Sequence, residues 1–190
     1  TVDASSALSI LGENSLEGTG SFTLNGTVIL GSSEALGALV SNTTNGNIQT
    51  PVGTRSFNNG STVIYGGLVS QFIGSGHPTS SQVSTVINNT LGVSLVGAVT
   101  VGGNLELRSG SLNVVGQTLT LNSTVSGSGT IVTTSSSNLS ISGSGDITVP
   151  FAINSTVKTI TVNRVASIAA INTQVTVTNQ LTLTNGDFDI

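Results

Sequence analysis

Any chemistry in this chain has to come from eight carboxylates, four cations and one histidine, because cysteine is absent. The carboxylates are Asp3, Glu13, Glu17, Glu34, Glu106, Asp146, Asp187 and Asp189. Cleaving a glycosidic bond needs a pair of carboxyl groups poised across it, and most of these are scattered. Asp187 and Asp189 flank Phe188, so on a strand both face outward and could share a cation. Calcium wants about six or more oxygens, and nothing adjacent supplies them. Gly143-Ser144-Gly145-Asp146 matches one piece of a calcium-binding nonapeptide, a site that needs Asp stacked from successive turns; a single copy is present. His77 stands against Pro78 with no carboxylate neighbour in sequence, which supports neither a triad nor a metal ligand. It reads as a surface turn residue. Gly-Ser/Thr-Gly occurs at 18–20, 74–76, 127–129 and 143–145. None of these opens a helix, so they read as corners rather than phosphate loops. The expected catalytic, cofactor-binding and metal-ligating residues are therefore none, no cofactor is expected, and the chain does not read as an enzyme.

Composition narrows the remaining classes. Charged residues make up 6% of the chain, far below the roughly 25% of an ordinary globular domain. Disorder is excluded in turn, because it requires low hydrophobicity with high charge, whereas the mean hydropathy is +0.33. With a net charge of −4 and only Arg55, Arg108, Lys158 and Arg164 as cations, no basic patch can neutralise nucleic-acid phosphates or hold an anionic membrane surface. No apolar run approaches the roughly 20 residues of a membrane-spanning helix, so membrane insertion is not expected.

The architecture is legible in one stretch. Val99-x-Val101, Leu105-x-Leu107, Leu112-x-Val114 and Leu119-x-Leu121 are very short alternating segments separated by Gly- and Ser-rich corners. Alternation puts their apolar residues on one face, with Glu106 and Arg108 outside. Their starts step by six or seven residues, which closes a three-sided coil in about 20 residues, whereas sandwich strands run to about 5–6 residues each. The expected fold is all-β, a right-handed parallel β-helix with short strands. At an average strand spacing of about 4.8 Å, 190 residues make about nine coils and a rod about 45 Å long.

The same stretch recurs. Val99–Val114 aligns with Val175–Ile190 at an offset of 76, and Thr85 onward aligns with Thr159 onward at about the same offset. This predicts one continuous solenoid over 1–190 with modules of roughly 1–114 and 115–190, in which 175–190 superposes on 99–114. Strands are also expected near Ala7–Ile10, Phe22–Leu30, Gln49, Ser56-Phe57 and Val63–Tyr65. Ser32 to Asn47 reads as a short helical turn or a protruding loop. Pro78 and Pro150, which offer no ladder donor, read as breaks.

The segments Gly46–Thr50, Gly53–Phe57, Gly60–Tyr65, Gln71–Pro78, Val99–Val114 and Thr118–Asn122 together resemble the β-strand repeats of very large surface proteins and adhesins exported by Bacteroidetes through the type IX secretion system. The likeness covers nearly the whole chain. It implies an extracellular or cell-surface location, a stalk or adhesin role, surface glycans or other cells as targets, and no cofactor.

Three function classes are therefore in view: a structural stalk or adhesin segment, an ice-binding solenoid suggested by Thr-x-Thr at 118–120, 159–161, 176–178 and 182–184, and a polysaccharide-active β-helix. Repetition with an uncharged Ser, Thr and Asn surface favours the first. The chain opens at Thr1 without methionine, which suits a processed protein or an excised segment. Neither end carries a sequence device that blunts a strand edge, such as charge, proline or a covering helix, so further copies or neighbouring repeats are expected to stack head to tail.

Overall fold

The computed structural model describes all 190 residues. Its architecture is a parallel β-solenoid of about nine turns with about 21 residues per turn, and about 51% of the chain is strand. In chain order the strands are β1 (Ala7–Ile10), β2 (Phe22–Leu24), β3 (Thr27–Leu30), β4 (Arg55–Phe57), β5 (Thr62–Tyr65), β6 (Gln71–Ile73), β7 (Ser84–Asn88), β8 (Val93–Leu95) and β9 (Val99–Val101). They continue as β10 (Leu105–Ser109), β11 (Ser111–Asn113), β12 (Thr118–Leu121), β13 (Val125–Gly127), β14 (Thr130–Val132), β15 (Asn138–Ser144), β16 (Ile147–Val149), β17 (Ser155–Ile171) and β18 (Val175–Asp189).

As far as β16 successive strands lie on different faces and pair with strands one coil away, whereas the long β17 and β18 each run through most of a coil and pair with one another. The first face is ordered β1-β3-β5-β7-β10-β13, the second β6-β8-β11-β14, and the third β9-β12-β15-β17. β18 pairs with β17, β16 lies on the other side of β17, and β2 pairs with β4 in a separate short sheet. The only helical element is a single turn at Val52–Thr54.

The inside of the rod is one apolar cluster of 34 buried residues running from Val2 to Ala169. Val99, Val101, Leu105, Leu107, Leu112 and Val114 all lie in it, while Arg108 is exposed and Glu106 half-buried on the outside. A slip of one residue would turn both charges into this core at a prohibitive desolvation cost. The corners are equally constrained. Gly110 turns β10 into β11 at a φ of +77, and a Cβ built there would lie 1.8 Å from the Asn89 carbonyl oxygen of the preceding coil. Only a residue without a Cβ allows the two backbones to stack this closely.

The 76-residue repeat does not mark structurally equivalent positions. Val99 pairs with Leu119, Leu119 with Leu139, Leu139 with Ile160 and Ile160 with Leu181. The coil equivalent of Val99 is thus Leu181. Val175 pairs with Ser155, ahead of the third-face segment that holds Thr159–Val162. The offset is not a whole number of coils, and on a three-sided rod an apolar-x-apolar segment recurs on every side. The alignment therefore matched one side with another.

Three local expectations change as well. Ser32–Asn47 contains no helical turn, and it does not simply protrude, since Ala38, Leu39 and Val40 are buried. Its backbone joins the coil: the Ala38 amide donates to the Phe72 carbonyl at 2.9 Å and the Asn47 amide to the Ala38 carbonyl at 2.8 Å. The strand expected at Gln49 is a lone bridge between Leu16 and Ile48. Pro150 ends β16, but the coil continues past it, because its carbonyl accepts the Ile131 amide at 2.8 Å and Phe151 bridges Ile131. A proline that cannot donate still accepts.

Candidate functional site

The third face positions the most regular set of polar side chains. Inward residues of β12, such as Leu119 and Leu121, are buried, so alternation forces Thr118 and Thr120 outward. Ladder pairing then fixes their neighbours: Thr120 stands beside Thr100 and Ser140, Ser140 beside Thr161 and Thr161 beside Thr182. A second file runs from Thr118 to Asn138, Thr159 and Gln180. In the second file the side chains bond one another. The Asn138 amide nitrogen donates to Thr118 Oγ1 at 3.4 Å, and the Thr159 hydroxyl donates to Asn138 Oδ1 at 2.8 Å.

The first face carries the single ion pair. Arg108 Nε and one terminal nitrogen each donate to a Glu106 carboxylate oxygen at 2.9 Å, and both side chains are partly exposed. Arg108 holds the Glu106 carboxyl below its usual range. The pair borders a shallow cleft of about 350 Å³ with Thr27, Thr62, Ile64 and Val86. A carboxylate neutralised in this way is a poor base, and no second carboxyl lines the cleft to act as acid.

His77 departs from its expected place on the surface. It is 8% exposed, and both ring nitrogens are occupied, with Nδ1 3.0 Å from the Tyr65 hydroxyl and Nε2 3.2 Å from Thr85 Oγ1. Burial lowers its pKa to about 4 and pushes the Tyr65 phenol above its ordinary value. Both strand residues point inward, so this is a neutral polar cluster in the core, with neither carboxylate nor metal shell. The turn at Gly74–Pro78 suggested exposure because turns usually face water; here the turn folds back over the coil.

Arg164 holds a buried position and Arg55 a half-buried one, neither of which composition revealed. Arg164 is fully buried, and its guanidinium donates to the carbonyls of Ser142, Ser144 and Gly145, the Nε bond to Gly145 measuring 2.8 Å. Arg55 does the same for Val40, Asn42 and Thr50. The signal was available in parity, since Arg164 shares the inward face of β17 with Ile160 and Val162. These cations tie irregular loops to the rod and are not free to meet a ligand.

The other candidates stay apart. Asp187 and Asp189 are exposed around half-buried Phe188. Asp146 accepts the Ile168 amide at 2.9 Å, which makes it a corner staple. No three His, Asp or Glu side chains come together in a metal-holding group. The largest cavity, about 570 Å³, opens at the last coil between Ile171 and Val175 with Ile190 at its rim. Beside it, β18 pairs with β17 on one edge only, leaving Leu181, Leu183 and Ile190 exposed. No family model, curated protein or solved structure matches the chain.

Proposed function

We propose that the protein is a structural segment, a stalk or adhesin repeat, of a large extracellular surface or filament-forming assembly, and that it has no catalytic role. The observation that supports this reading is the free edge of β18. Along its 15 residues the backbone is saturated on the β17 side only, and Leu181 and Leu183 are about half exposed beside it. Isolated proteins usually blunt such an edge, and a solenoid covers it most simply with another parallel coil. The N-terminal coil offers the matching elements. Val2 bridges Leu24, and β1 pairs with β3 through Ala7–Ile10, so a following coil built like Val2–Ile10 places apolar Val2, Leu8 and Ile10 over Leu183, Phe188 and Ile190. Its outward Ala7 and Ser9 fall beside Asp187 and Asp189 without opposing like charges.

A sparsely charged, hydroxyl-rich rod also suits a spacer, since its rigidity comes from backbone pairing that ionic strength hardly alters. Sedimentation and electron microscopy of the 190-residue chain test the reading. End-to-end association that lengthens the particle at constant width is expected, together with its loss in Leu181→Lys/Leu183→Lys. A chain that stays monomeric at high concentration would reject it.

A further inference from the structure

We propose that the outward surface of the third face binds an ordered water lattice, the face of an ice crystal. The inference stands apart from the stalk reading and rests on three features of the two polar files. The first is register. Thr100, Thr120, Ser140, Thr161 and Thr182 are successive ladder partners across β9, β12, β15, β17 and β18, and the pairing slips only outside this file. Parallel pairing repeats at about 4.8 Å across the strands and, for outward residues two apart, at about 6.6 Å along them. These two repeats lie close to oxygen spacings in planes of hexagonal ice; the first file holds the cross-strand repeat over five strands, and the second file, from Thr118 to Gln180, adds the along-strand repeat over four.

The second feature is unspent hydrogen-bonding capacity. The hydroxyls of Thr118 and Thr159 are engaged with Asn138. Those of Thr100, Thr120, Thr161 and Thr182 bond to no protein group, although their positions on the ladder are fixed. β-Branched threonine is stiff at χ1, so methyl and hydroxyl are held in place before a lattice arrives and little ordering entropy remains to be lost.

The third feature is what the surface lacks. Thr118–Leu121, Asn138–Ser142, Thr159–Asn163 and Gln180–Thr184 contain no charged residue and no aromatic one. A glycan would ordinarily be gripped by aromatic stacking or a carboxylate, and a charged surface would keep its own disordered hydration. The first face has a shorter hydroxyl file, Thr27, Thr62 and Ser84, and it lies beside Ile64, Val86 and the Glu106–Arg108 pair, so charge and apolar side chains interrupt it.

The test is thermal hysteresis and inhibition of ice recrystallisation by the purified chain, read beside its binding to insoluble cellulose and chitin. A hysteresis gap with faceted crystals is expected, without retention on either polysaccharide. Thr120→Tyr and Thr161→Tyr, each confirmed folded by circular dichroism, should lose the gap, whereas Thr148→Tyr on β16 should retain it. A folded chain with no gap would overturn the proposal. So would a gap unchanged in both tyrosine variants, or retention on a polysaccharide with no effect on ice.

Discussion

Replacing Arg164 by alanine is expected to cost about 3 kcal/mol of stability, because several buried backbone carbonyls lose a charged donor at once. The guanidinium is fully buried and satisfies the Ser142, Ser144 and Gly145 carbonyls at one corner. Without it these oxygens lose their side-chain donor, and a buried group left unsatisfied costs about 1–3 kcal/mol. The neighbourhood cannot collapse to compensate, since a Cβ at Gly186 would already lie 2.1 Å from the Arg164 carbonyl oxygen. Arg164→Lys should recover only part of the loss, because an ammonium lacks the planar fork that reaches several carbonyls at once. Arg108→Ala is the comparison. Its partly exposed pair with Glu106 should be worth about 1 kcal/mol or less. Urea denaturation midpoints of the three variants check the ordering, and equal midpoints for Arg164→Ala and the parent chain would refute the assigned role.

Acidification should destabilise the rod in a defined window because of His77. Its pKa in the folded chain is about 4, lowered from 6.5 by burial. Above pH 6.5 it is neutral in both states and carries no penalty. Between pH 6.5 and 4 the unfolded chain binds a proton that the folded chain refuses, so stability falls by about 1.4 kcal/mol per pH unit. Below the folded value both states are protonated and the loss levels off near 3 kcal/mol, an order-of-magnitude figure from the difference of about 2.5 between the two pKa values. The Glu13 carboxyl, held below its usual range by Ser33 and Ser32, contributes only at lower pH. Thermal unfolding across this range should show the slope in the parent chain and lose it in His77→Gln, whose amide can still meet Tyr65 and Thr85. A slope that survives the substitution would assign it elsewhere.

The fold was legible because its rule is local. Valine and leucine alternating in segments such as Val99–Val101 and Leu105–Leu107 leave one inward face, and glycine corners such as Gly110 turn the chain between sides, although β17 and β18 bend through their corners without a break in pairing long enough to end the strand. The coil equivalence was not legible in the same way, since a pattern shared by three sides cannot say which side a segment occupies. Pairing of Val99 through to Leu181 settles that in space. His77 and Arg164 mark a different limit. Arg164 shares inward parity with Val162 and could have been read as buried from alternation alone. His77 lies in a turn, where alternation gives no direction, and its burial depends on contacts with Tyr65 and Thr85 on the neighbouring strands β5 and β7, between which this turn lies in the chain. The hydroxyl files of the third face were visible only as separate Thr-x-Thr pairs, and their alignment required the ladder register.

The central claim, that successive coils stack in parallel register, is tested most directly by a distance between two outward residues far apart in sequence. Ser9 is linked to Ser126 through ladder partners Ile29, Ile64, Val86 and Glu106. Five strand spacings of about 4.8 Å place the two about 24 Å apart. Because the chain has no cysteine, Ser9→Cys/Ser126→Cys takes two spin labels without background. Double electron–electron resonance should then give one narrow distribution near that separation, allowing for the label linkers, whereas a broad distribution, or one centred well beyond it, would contradict the stacked coil.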